Sequence, residues 1–202
     1  MSRAVNRNNA VELSVIRRTA VLARVLRRRV HRLVRDERGL SAVEFAMLLP
    51  LMLALYLGAV EISQAIGADR KVTLTARTVA DLVSQVPSIN NADMSNSLNA
   101  SAAVMAPYPA NRLKVTISSL SINAEGRATV AWSDTLNGTA RARGADVTIP
   151  SALAVPNSSL ILSEVEYSYT PTIGYVITGS LSLKDQIYMR PRLSASVGRT
   201  AS

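Results

Sequence analysis

The sequence predicts an α+β chain: a long N-terminal transmembrane helix followed by a small antiparallel-sheet domain. Residues 45 to 60 form a run of 16 positions without a charge inside a longer apolar stretch. Helical spacing then continues through Val79, Leu82, Val83 and Val86, and beyond Pro107 the apolar period changes from the helical value to two.

The apolar stretch from Leu40 to Val60 covers 21 positions, roughly 31 Å of helix at ~1.5 Å per residue, which matches the hydrocarbon thickness of a bilayer. The formal charge of +9 is confined to one side of it. Residues 1–39 hold 11 arginines against Glu12, Asp36 and Glu37, a net +8, whereas residues 40–202 hold 12 basic and 11 acidic side chains, a net +1. Arginine beside an apolar segment retains that side in the cytoplasm, so the C-terminal part is expected outside the inner membrane.

Within the leader, Val11 to Val34 reads as a basic amphipathic helix that could lie on anionic lipid. A solvated leader whose task ends with fixing topology explains the same pattern and is preferred. No binding fold or interleaved aromatics accompany the charge, so no nucleic-acid partner is expected. Cysteine is absent, and the single histidine, His31, lies in the leader. Thiolate metal sites and cysteine nucleophiles are thereby excluded, and a processed chain would lack the usual general base and metal ligand. We expect no catalytic residue, no metal and no cofactor.

The domains read as a basic cytoplasmic leader (1–39), a long helix (40–86) with its transmembrane part at about 40–66, and an exported α+β domain (87–202). Pro50 lies inside the helix, where it removes a backbone hydrogen bond, so a kink or loosened turn is expected. Pro87 ends the helix, and Asn90, Asn91 and Asp93 introduce a shorter one at about 92–105. Strands are expected at about 112–123, 127–134, 159–170 and 180–190. The first two form a hairpin around Asn123-Ala124-Glu125-Gly126. Leu120 and Ile122 are out of phase with Leu113, Val115 and Ile117, which indicates a bulge or bend near Ser118 and Ser119. Residues 134–157 read as a long loop, and those after Leu193 as frayed. Lys184 and Arg190 are placed to pair across the sheet with Glu164 or Glu166.

The candidate functional residues lie where the leader meets the apolar run, in Arg38-Gly39-Leu40-Ser41-Ala42-Val43-Glu44-Phe45. A carboxylate within a transmembrane segment is costly and calls for a cationic partner. Cleavage after Gly39 would create one, the amino group of Leu40. Taken alone, Glu44 could simply snorkel to the headgroups, but the Gly39 and Glu44 spacing behind an arginine-rich leader favours a functional group. Glu61, at the far end of the apolar run, is expected to face water.

Residues 38–46, with Leu48-Leu49-Pro50 and Gly58-Ala59-Val60-Glu61, are similar to the start of TadE-like pseudopilins of tight-adherence (Tad/Flp, type IVb) pilus systems. The resemblance extends over residues 38 to about 86. It implies a pilin-like lollipop and a non-catalytic minor pseudopilin that takes part in pilus assembly. A membrane prepilin peptidase would cut between Gly39 and Leu40 on the cytoplasmic side. Lacking a side chain, Gly39 would let the scissile backbone enter a narrow cleft in extended form. Glu44, fifth from the new terminus, matches the pilin glutamate and would neutralise the Leu40 amine of a neighbouring subunit or of its own helix. The implied partners are the prepilin peptidase, other pilins or pseudopilins, Tad secretion components and inner-membrane lipid.

Two other readings compete. An ordinary signal peptide could be cut after Gly67, where Ala65-Ile66-Gly67 supplies small residues, giving a secreted domain that begins near Ala68 and lacks Glu44. A membrane-tethered hydrolase could use a serine with Lys114 or Lys184 as a desolvated base.

Overall fold

The computed structural model describes residues 37–171, 174 and 178–200. The predicted leader helix at Val11 to Val34 and residues 175–177, in the turn between the last two predicted strands, lie outside the described residues. The chain divides into two compact units, residues 1–55 and 56–202.

The fold class is α+β. Helix α1 (Glu37–Ser84) is followed by β1 (Ser88–Ile89), α2 (Asn91–Met105), β2 (Leu113–Ile122), β3 (Ala128–Leu136), β4 (Asp146–Val147), β5 (Ser158–Tyr169), β6 (Leu181–Met189) and β7 (Gly198–Arg199). The described part of the first unit is the start of α1. Its large apolar side chains, among them Leu40, Phe45, Met47, Leu51 and Leu55, are exposed.

In the second unit, β2 to β6 form one sheet in the order β4-β3-β2-β5-β6, all neighbours antiparallel. From Ala65 onward α1 lays Ala68, Val72, Ala76, Val79 and Val83 on the core, at spacings of three and four that place them on one face of a helix. Opposite them stand Leu113, Val115 and Ile117 of β2 with Ile161, Val165 and Tyr167 of β5. Three of the helix contacts are alanines, whose small size lets the helix backbone approach the sheet. Helix α2 adds Met94, Leu98 and Met105. Its N-terminus is capped by Asn90, whose side chain accepts from the Asp93 N–H at 2.8 Å, meeting one of the unbonded first-turn donors.

The bulge expected near Ser118 and Ser119 is present in the register of β2 with β3, between Ser119 and Leu120. β2 keeps unbroken register with β5, pairing Ser118 with Leu162 and Leu120 with Leu160. Leu120 and Ile122 therefore face the opposite side of the sheet from Ile117, where a second core forms with Val130, Val147, Leu160 and Leu162. The segment after β3 covers it with Ile149 and Leu153. The extra residue sits on β3: Ser119 pairs with Trp132 and Leu120 with Val130, which leaves Ala131 unopposed. The loop expected at 134–157 thus supplies an apolar cover and the short edge strand β4, and Arg127 and Asp146 form an ion pair beside it.

The C-terminal residues are tied down rather than frayed. Arg192 pairs with Asp81, Ser159 Oγ donates to Ala195 O, and Trp132 Nε1 donates to Val197 O at 2.8 Å. Val197 is buried, and β7 pairs in parallel with β1. Arg199 reaches Asp134 at 2.9 Å and Asn91 Oδ1 at 2.7 Å. Replacing Arg199 by alanine would strand both acceptors, at a cost of about 1–3 kcal/mol. Urea unfolding should show this loss at unchanged slope; an unaltered midpoint would mean that the strap adds nothing. Of the expected cross-strand pairs, Lys184 meets Glu166 at 3.2 Å. Glu164 is taken by Arg141 at 2.6 Å, a residue from the loop after β3 that period-two reasoning could not have placed there.

Candidate functional site

Glu44 and Leu40 lie four residues apart on α1 and therefore share a face, about 6 Å apart along the axis. Every residue from Gly39 to Leu53 is exposed. Apolar positions such as Met47, Leu48, Leu49, Leu51 and Leu53 are distributed around the whole helix. A helix apolar all round is stable only when lipid or other apolar helices cover it. One described helix, α1, is long and apolar enough to cross a membrane.

Gly39 is helical, the third residue of α1, and a Cβ added there meets nothing within 4 Å. Its own fold places no demand on glycine at this position. An extended scissile segment would require the first turn of α1 to unwind, and glycine, about 1 kcal/mol less helix-favouring than alanine, lowers that cost. Pro50 lies within α1, which continues on both sides of it.

Pattern reasoning missed Glu61. Expected to face water, its side chain is buried, with 1% relative exposure. The signal was in the spacing, because Gly58, Glu61, Ala65, Ala68 and Val72 succeed one another at intervals of three and four, and all are buried. Around it stand tyrosines. The Tyr108 hydroxyl donates to Gln64 O at 3.2 Å, and its ring meets Tyr167 and Tyr169 edge-on at centroid distances of 6.0 and 6.3 Å. Gly67 permits this approach, since a Cβ there would come within 3.1 Å of the Tyr108 hydroxyl. Lys71 Nζ donates to Val104 O at 3.0 Å, fastening the same stretch of α1 to the end of α2.

Alkali is expected to weaken this cluster. Burial raises the Tyr169 pKa above its ordinary value of 10.0, with Tyr108 and Glu61 adding in the same direction. Burial raises Tyr167 and Tyr188 likewise. A folded-state pKa above the unfolded one contributes stability that is complete below pH ~10 and lost as pH rises through the folded values. Thermal unfolding between pH 9 and 12 should show a midpoint that falls steeply above pH ~10. A flat profile there would mean that these hydroxyls ionise freely in the folded chain.

The two lysines considered as bases line a groove of about 880 Å³ with Thr116, Arg141, Glu164 and Glu166. Both are exposed, and Lys184 is paired with Glu166, whose carboxyl is held below its ordinary range by hydrogen bonds from Ser182 and then Lys184. Neither lysine therefore sits in the desolvated pocket that a lysine base requires.

The residues from Gly39 to the domain-facing part of α1 match a known family. Residues 39–81 match the family of TadE-like proteins. No curated protein and no solved structure matches the chain. The TadE-like segment opens at Gly39, contains Glu44, Pro50 and Glu61, and ends at Asp81, near the end of α1. It thus combines the exposed apolar stretch with the helix face that packs on the sheet.

Proposed function

We propose that the chain is a non-catalytic minor pseudopilin, cut by a prepilin peptidase between Gly39 and Leu40, that takes part in assembling a Tad/Flp pilus. The observation that carries this reading is the coincidence of the TadE-like match with an exposed apolar helix that holds Glu44 one turn from Leu40. In this reading α1 crosses the inner membrane once. The arginine-rich leader stays in the cytoplasm, and the sheet domain lies on the periplasmic or extracellular side. Pro50 gives the helix a point of reduced stiffness as it passes from the bilayer to a neighbouring subunit.

The Leu40 amine and the Glu44 carboxylate neutralise each other, within one subunit or between two, at a depth where either alone would be costly. Contacts, rather than chemistry, are the mode of action. The partners are the prepilin peptidase, other pilins or pseudopilins, and the Tad secretion components.

The ordinary signal peptide is disfavoured by packing. A cut after Gly67 would remove the buried Gly58, Glu61 and Ala65 and shorten the helix face on the core. Deleting the gene should abolish surface filaments, while filaments purified from wild-type cells should contain little of this chain. Normal piliation of the deletion strain would overturn the reading.

A further inference from the structure

β3 pairs with β2 along its length, but on its outer side it meets β4 only at Ala128 and Thr129. The last backbone bonds on that side join Val130 to Gly144 and Ala145. Beyond the bulge at Ala131, the edge from Ala131 to Leu136 has no strand beside it among the described residues. A cleft of about 600 Å³ opens at the start of this edge, at Ala131, Trp132 and Ser133, and extends over β2 and β5 between the C-terminal strap and the loop after β3.

Its lining includes Arg141, Arg143 and Arg199 and no carboxylate. Arg141 and Arg199 have partners outside the lining, Glu164 and Asp134. Arg143 is exposed and has no ion pair among the described residues. Trp132, the chain's single tryptophan, also lines the cleft.

We propose that this edge is a docking site for an extended acidic segment of a partner protein, which adds a strand to β3 and places a carboxylate on Arg143. An open strand edge is a template for backbone pairing, and side chains at alternate positions of the added strand supply selectivity. The charge decides the occupant. Two copies pairing edge to edge would bring their Arg143 side chains together, and like charges facing across strands are destabilising. A strand with glutamate or aspartate at every second position meets Arg143 with opposite charge and offers the backbone groups that the edge lacks.

The full chain in detergent micelles can be titrated with a capped Glu-Val-Glu-Val-Glu-Val peptide, with Trp132 fluorescence as the readout. A saturable change is expected, weakened about tenfold in Arg143→Gln and further in Arg143→Glu, both at unchanged thermal stability. The peptide N-methylated at alternate residues should not bind, because it cannot complete the ladder. Equal binding of a Lys-Val peptide or of the N-methylated peptide, no effect of either substitution, or a fluorescence change that follows self-association of the chain would each overturn the proposal.

Discussion

Gly39→Asp is expected to leave the chain uncut, with the full-length precursor accumulating in the membrane. The substitution does not disturb the fold, because a Cβ at Gly39 meets nothing within 4 Å. A carboxylate in the first turn of α1 is even favourable to the helix, by about 0.3–1 kcal/mol. The defect must therefore lie in recognition, in two ways. In the proposed reading the side chain would fill space that the peptidase cleft needs for the scissile backbone, and the firmer first turn would resist unwinding to the extended form. Immunoblots of cells carrying the cognate peptidase should show the slower-migrating form alone. Maturation at the wild-type rate would remove Gly39 from the processing site.

Glu44→Ala is expected to be processed normally and yet to fail in assembly. Alanine is a good helix former and Glu44 is exposed, so α1 persists. The mature subunit, however, would keep the Leu40 amine in an apolar setting without its carboxylate. Breaking a buried ion pair by removing one partner costs about 3–5 kcal/mol, and each ~1.4 kcal/mol is tenfold in an equilibrium constant. Filament number should therefore fall on the order of a hundredfold or more. Electron microscopy of cells expressing the variant in place of the wild type measures it, and unchanged pilus counts would make the carboxylate dispensable.

Much of this chain can be read from its periodicities, because helix and strand each have one regular buried face. The spacing of Val79, Leu82 and Val83 marks the last turns of α1, and the alternation in Leu113, Val115 and Ile117 marks the sheet face that α1 covers. What escaped depends on contacts between distant segments. Leu120 and Ile122 indicated a bulge, and the register of β2 with β3 does shift between Ser119 and Leu120; what escaped is the second core they serve, whose lid, Ile149 and Leu153, comes from a segment with no period of its own. The strap looked unstructured because its anchors, Trp132, Asp134 and Asp81, are remote in sequence. Glu61 was misplaced for another reason: its polarity was weighed above its phase, although Gly58, Ala65 and Ala68 put it on the buried face. The residues proposed for processing and assembly rest on local chemistry alone: a glycine before an apolar run and a carboxylate four residues after Leu40.

The first residue of the protein purified from host membranes, with and without the cognate prepilin peptidase gene, tests the central claim most directly. The pseudopilin reading predicts a start at Leu40 that disappears when the peptidase is deleted. A start near Ala68 in either strain, or an intact Met1 in both, would contradict it.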